Sequence, residues 1–249
     1  MNRDTITVAA LWAVLTVIGE ALVIGIGLFP APLAEEAKIV DEAFEHLVIL
    51  GVPVFTFVVS VLVYAVIRFR RRGAELEDGP PVRTHGKWVA FWFAWTTALT
   101  VAVIIHPGVT GLRSLTASHG EDPDLLVKVT GQRWLWTFEY PEQNVTTINE
   151  LVIPVDKLVR FEVTAPDRDV LHSFWIPAFR IKIDAVPGLV THTYARATRV
   201  GAFEEDVDYR VQCAELCGLA HGKMAATLSV VSQEEFEQWA KGRARVEAR

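Results

Sequence analysis

Apolar residues gather in three long runs within the first 110 positions, and beyond about residue 125 they shrink to short stretches between turn residues. The runs are roughly Ile6 to Leu28, interrupted only by Glu20, then His46 to Ile67 and Trp88 to Ile105, the last two free of charge. At about 1.5 Å of rise per residue, around 20 apolar residues cross a hydrocarbon core about 30 Å thick. All three runs are long enough to span, and a buried soluble helix rarely extends so far without a polar face. A transmembrane hairpin is therefore predicted over 46–107. Residues 1–30 suit a further, retained anchor; the single Arg3 and short polar start also suit a secretory signal, although no small-x-small cleavage site precedes Pro30.

The later texture is different. "LLVKVTG", "RWLWTFEY", "ELVIP", "KLVRFEVTA", "HSFWIP", "FRIKIDAVPG", "LVTHTYA", "DYRVQC" and "AATLSVV" are short and β-rich, and turn signals such as Ala165 to Asp169 and Pro187-Gly188 separate them. Strands at this spacing predict an all-β sandwich or barrel over 120–232. A short helical tail, 233–249, follows: Ser232 with Glu235 makes a capping box, and Phe236 and Trp239 share one helical face.

Composition agrees with this division, since 51% hydrophobic residues is high for a wholly soluble chain. Charge sets the expected orientation. The basic loop 68–87 holds Arg68, Arg70, Arg71, Arg72, Arg83 and Lys87, whereas the segment between the first two runs carries Glu35, Glu36, Asp41, Glu42 and Glu45 against Lys38. Lys and Arg mark the cytoplasmic side, so everything beyond Ile105 is expected outside. Trp88, Trp92 and Trp95 open the third run, Trp88 in the manner of an interfacial anchor. A net charge of −6 gives no support to nucleic-acid binding.

Both cysteines of the chain lie in "VQCAELCGLAHGKM". A disulfide between Cys213 and Cys217 is the default in an oxidising compartment, but so short a loop gains little stability from closure and leaves His221 and Met224 unexplained. Thiolate, imidazole and thioether on one loop are the donors of a copper electron-transfer site, which needs an upstream histidine from another strand. His172, opening an apolar run after a turn, is the leading candidate; His192, His106 and His119 are the others. A mononuclear site needs one cysteine, and the second is placed to let two thiolates bridge two copper ions.

At this point the sequence resembles a known family. "QCAELCGLAHGKM" is similar to the C-x-E-x-C-x-x-x-H-x-x-M motif of cytochrome c oxidase subunit II, and "LHSFWIP", "DAVPG" and "GQRWLWTFEYP" match further segments in the family's order, over about residues 40–240. The resemblance implies a cupredoxin-like domain with a binuclear copper (CuA) centre. Cys213 and Cys217 would bridge two copper ions, one completed by His172 and Met224, the other by His221 and the carbonyl of Glu215. The Glu215 side chain would help bind magnesium at the interface with the catalytic subunit, subunit I. Trp134 would be the point where electrons enter from cytochrome c or another single-electron donor. Its alternation with Trp136 and Phe138 equally fits one face of a buried strand. Glu139, Glu142, Glu204, Glu205, Asp206 and Asp208 are candidates for attracting a lysine-rich donor.

The implied protein is an integral component of a bacterial plasma membrane with its copper domain on the periplasmic side, in contact with lipid and other oxidase subunits. Two departures stand out: His85 where many members place a glutamate at a proton-channel mouth, and Leu189 after "DAVPG" where many have arginine. A nitric oxide reductase subunit with the same copper site, or a membrane-anchored copper carrier or assembly protein, are the alternatives.

Overall fold

A computed structural model describes residues 2–70, 84–117 and 120–247, with side chains to Ala244. Arg71, Arg72, Arg83 and His119 lie outside the described residues. The chain forms two compact units, one from 1–28 with 42–112, the other from 29–41 with 113–249.

The first unit is helical. Helices α1 (Arg3–Ile26) and α2 (Glu35–Arg68, of which residues 42–68 belong to this unit) are followed by α3 (Gly86–Val103). Among the described residues three helices are long and apolar enough to cross a membrane, with mean hydropathies of 2.2, 2.6 and 1.9. Their apolar side chains, Trp88, Trp92 and Trp95 among them, are largely exposed, as suits helices whose solvent is lipid. Beyond α3 the extended backbone of His106 and the ring of Pro107 widen the path into a π-turn, Ile104–Val109, before α4 (Thr110–Ala117). Helix α1 approaches α2 closely at Gly19, where a Cβ would stand 2.8 Å from Val52 Cγ1. Small and polar residues fasten this contact: the hydroxyls of Thr16 and Thr56 are 2.7 Å apart, and Trp12 Nε1 donates to the Pro53 carbonyl at 2.8 Å.

The second unit is a cupredoxin-like β-sandwich. Its strands are β1 (Leu125–Gln132), β2 (Leu135–Tyr140), β3 (Val145–Ile148), β4 (Glu150–Pro154), β5 (Leu158–Thr164), β6 (His172–Ile176), β7 (Ile181–Ala185), β8 (Thr191–Arg196), β9 (Gly201–Ala202), β10 (Arg210–Cys213) and β11 (Ala225–Val231). One sheet has the order β3-β2-β1-β5-β8, the other β4-β11-β10-β6-β7 with β9 paired to β11. Inward positions alternate with outward ones: Leu125, Val127 and Val129 on β1 and Trp136, Phe138 and Tyr140 on β2 are buried. They meet Phe174 of the opposite sheet, whose ring centroid lies 5.7 Å from that of Trp136 and 5.3 Å from that of Phe161. Each such aromatic contributes about 1.5–3 kcal/mol by burial. Two strands, β3 and β9, go beyond the stretches legible in the sequence; the first is four residues with two threonines and the second only two residues.

Helix α5 (Gln233–Glu247) closes the end of the sandwich remote from Cys213. Both arms of its capping box form, Ser232 N donating to Glu235 Oε2 at 2.9 Å and Glu235 N to Ser232 Oγ at 3.2 Å. Phe236 and Trp239 pack on Tyr140.

An unforeseen element completes this unit: residues 29–41, which precede the second apolar run, belong to it. Leu33, Ala34 and Ala37 are fully buried, Leu33 N donates to the Ala178 carbonyl at 3.0 Å, and Thr198 N donates to the Leu33 carbonyl at 2.9 Å. Arg180 clamps the segment through a two-pronged pair with Asp41, Nε to Oδ1 and Nη2 to Oδ2, both 2.8 Å.

Candidate metal centre

Two strand ends and one loop assemble the site. His172 opens β6, Cys213 closes β10, and their strands are adjacent, with Cys213 opposite Phe174. The loop 214–224 then returns to β11, anchored by Cys213 N donating to the Met224 carbonyl and Ala214 N to the Ser173 carbonyl, each at 3.0 Å. Gly218, at φ 110°, takes a backbone conformation that side chains disfavour, and a single 3₁₀ turn, His221–Lys223, sets His221 beside the cysteines.

The donors converge. Cys213 Sγ lies 3.9 Å from His172 Nδ1 and 3.8 Å from Cys217 Sγ, and Cys217 Sγ lies 3.5 Å from His221 Nδ1 and 3.7 Å from Met224 Sδ. The Glu215 carbonyl oxygen is 3.3 Å from Cys213 Sγ, while the Glu215 side chain is exposed. Both cysteines are free and buried, and their sulfurs stand far beyond the roughly 2.05 Å of a disulfide. Metal bonds of about 2.0 Å to nitrogen and about 2.3 Å to sulfur let one ion join donors up to roughly 4.5 Å apart. Every separation above falls inside that reach, so the donor set fits soft metal ions. His172, Cys213 and Cys217 form the metal-capable cluster found among the described residues. Of the other histidines, His192 sits on β8 opposite Glu162 and His106 in the helical unit.

Burial governs the protonation of these groups. Desolvation, then the neighbouring Cys213 thiol, pushes the Cys217 thiol up to about 11. Burial also lowers the His172 imidazole below its ordinary value, opposed by the carboxylate of Asp169. That carboxylate, whose Oδ1 is 3.8 Å from His172 Nε2, shows in the sequence only as part of a turn. It accepts from the amides of Arg133 at 3.0 Å and Val170 at 2.7 Å and from Arg133 Nε at 2.6 Å. Burial would raise its carboxyl, but these bonds outweigh that and hold it below the usual range. Its place three residues before a candidate ligand is the one signal in the sequence that could have found it.

Beneath His172 the sandwich is tight. A Cβ on Gly131 would lie 2.8 Å from Trp136 Cζ3 and 3.3 Å from His172 Cβ. Trp134, in contrast to Trp136 and Phe138, has left the strand: it is 39% exposed, and its Nε1 donates to the Cys217 carbonyl at 3.1 Å. The alternation in sequence breaks because β2 begins only at Leu135.

The six acidic residues expected to attract a donor fall in two parts of the sandwich. Glu139 lies on β2 and Glu142 in the turn that follows it. Glu204, Glu205, Asp206 and Asp208 precede β10, whose far end carries Cys213. His85 stands at the N-terminus of α3, and Leu189 is exposed after the Gly188 turn.

A family model of the periplasmic domain of cytochrome C oxidase subunit II matches residues 143–231. Cytochrome c oxidase subunit 2 of Thermostichus vulcanus is 33% identical, covering 86% of this chain and 77% of that protein. The subunit 2 of Cereibacter sphaeroides is 30% identical over 90% and 82%. Among solved structures, the periplasmic domain of subunit II of cytochrome oxidase of Bradyrhizobium japonicum is 33% identical with a TM-score of 0.46, covering 50% of this chain and 96% of that one. Similarity at this level across most of both sequences means that the chain belongs to the cytochrome c oxidase subunit II family.

Proposed function

We propose that this chain is the electron-accepting subunit of a respiratory haem-copper oxidase, taking single electrons from cytochrome c or a similar donor and passing them to haem in the catalytic subunit. The observation that carries this reading is the convergence of two free thiols, two imidazole Nδ1 atoms, a thioether and a carbonyl in one buried cluster. Two copper ions held there would supply a one-electron redox centre.

The chain's own residues bind and orient. Cys213 and Cys217 would be shared by the two ions, with His172 and Met224 holding one and His221 and the Glu215 carbonyl the other. Burial keeps these donors from water and fixes their geometry, which favours transfer with little rearrangement. A copper carrier would instead need donors open to exchange, whereas Cys217 and Met224 are buried. The exposed Glu215 carboxylate is free to reach a magnesium ion shared with the catalytic subunit. Trp134 offers a partly exposed indole whose Nε1 donates to the Cys217 carbonyl at 3.1 Å, which supports it as the point where electrons would enter.

Helices α1, α2 and α3 anchor the chain in the membrane, α1 packing on α2 through Gly19, Thr16 and Trp12. With Arg68, Arg70 and Lys87 on the cytoplasmic side, the copper domain faces the periplasm. The terminal acceptor, oxygen or nitric oxide, is a property of the catalytic partner.

The reading is tested by replacing Cys217 and Trp134 in the purified complex. Cys217→Ser is expected to abolish the copper spectrum, and Trp134→Ala to keep it while slowing reduction by the donor. Copper signals unchanged in Cys217→Ser would refute the ligand set, and unaltered kinetics in Trp134→Ala would refute the route of electrons.

A further inference from the structure

We propose that His46 and His106 form a second metal site, in the helical unit, which takes a divalent transition ion such as zinc between α2 and the π-turn that follows α3. His46 opens the second apolar run and His106 follows the third, so both stand at the same edge of the membrane. Their rings meet, with centroids 5.0 Å apart and planes at 88°. Both residues are exposed, so the contact is not the packing of a buried pair.

Hydrogen bonds decide which nitrogens are open. His46 Nδ1 lies 2.8 Å from the Glu42 carbonyl, and a carbonyl only accepts, so Nδ1 carries the hydrogen and Nε2 the lone pair. His106 Nδ1 lies 2.9 Å from Thr110 Oγ1, whose own hydrogen is directed to the Pro107 carbonyl at 3.5 Å. The hydroxyl therefore accepts from Nδ1–H, and Nε2 of His106 is likewise left with its lone pair. Among the described residues neither Nε2 has a hydrogen-bond partner. An imidazole held through Nδ1–H by an oxygen, with Nε2 open, is prepared as a metal ligand.

Reach and charge agree with this use. Metal–nitrogen bonds of about 2.0–2.1 Å join nitrogens up to roughly 4 Å apart, a separation that rings already in contact attain by a turn about χ2, a soft torsion in histidine. The backbone leaves the helix at His106 itself, with φ −139° and ψ 121° inside the π-turn Ile104–Val109, and π-turns within helices gather at functional positions. Glu42, exposed one helical turn before His46, and Glu45 beside it draw cations toward the pair. Two imidazoles with water completing the shell suit zinc, copper(II) or nickel better than calcium or magnesium, which prefer oxygen donors. An ion held there ties α2 to the segment after α3.

The test uses the purified, copper-loaded oxidase complex containing the full chain, dialysed against a series of zinc concentrations, with bound zinc counted per chain. The parent is expected to bind one zinc that His46→Gln and His106→Gln each hold at least about tenfold more weakly. Thr110→Val keeps both imidazoles but removes the oxygen that orients His106, and should fall between the parent and His106→Gln. His192→Gln, on β8, should leave zinc uptake unaltered. Copper(II) as a second probe should add a mononuclear paramagnetic signal with nitrogen couplings, absent from both histidine variants. Equal zinc uptake by the parent and the His46→Gln/His106→Gln double variant overturns the proposal. So does a parent complex that binds no zinc, which would mean that another subunit covers the pair. Loss of the copper absorption bands on adding zinc would place the ion at Cys213 and Cys217 and overturn it as well.

Discussion

Replacing Gly131 by alanine places a methyl group where β1 runs beneath His172. The new Cβ would stand 2.8 Å from Trp136 Cζ3 and 3.3 Å from His172 Cβ, against about 3.5–4.0 Å for relaxed carbon contacts. Trp136 is directly opposite Gly131 on β2 and fully buried, and its ring also abuts Phe174, so it has no free side to yield toward. Overpacking of this kind costs about 1–3 kcal/mol, offset by roughly 0.4–1 kcal/mol from the stiffer unfolded chain. A net loss of about 1–2 kcal/mol corresponds to a fall of about 3–10 °C in the unfolding midpoint of the β-domain. The displacement also reaches His172, so the copper absorption bands should shift. Gly222→Ala is the internal control, since nothing lies within 4 Å of a Cβ there. Calorimetry and visible spectra of the copper-loaded chain measure both effects; Gly131→Ala as stable as the parent with unmoved bands would refute the packing argument.

Other outcomes follow from the same geometry. Because burial and Cys213 push the Cys217 thiol up to about 11, the metal-free site holds protonated sulfur at neutral pH, and copper uptake must release protons. Titration calorimetry in buffers of differing ionisation enthalpy should show that release, with apparent affinity rising as pH rises toward about 11; affinity independent of pH would contradict it. Asp41→Ala leaves the Arg180 guanidinium, only 11% exposed, with the Pro177 and Pro30 carbonyls as its remaining acceptors, and should destabilise the β-unit by about 1.5–3 kcal/mol and open residues 29–41 to proteolysis. Unchanged protease resistance would show that the segment is held by Leu33 and Ala34 alone.

The apolar helices, most strands and the convergence of the candidate donors are legible because each has a local signature. Uninterrupted apolar length marks a membrane helix, alternation marks a half-buried strand, and Cys, His and Met on one loop mark a soft-metal site. The capping box of Ser232 and Glu235 is likewise a four-residue signal, and it forms as its spacing implies. What escaped depends on contacts between distant residues. The 29–41 segment carries charges typical of a solvated linker, yet Asp41 meets Arg180, 139 positions away. Asp169 reads as one of several turn residues until Arg133 is seen to close on it. Trp134 continues the alternation of a buried strand, and only the start of β2 at Leu135 separates it from Trp136. Nothing in the sequence says at which end of the sandwich the acidic residues fall.

The most direct test of the account is the metal content and electron paramagnetic resonance spectrum of the oxidised chain. Two coppers per chain with a seven-line hyperfine pattern are predicted for a pair bridged by Cys213 and Cys217. One copper per chain with a four-line pattern would contradict the binuclear site at the centre of the proposed function.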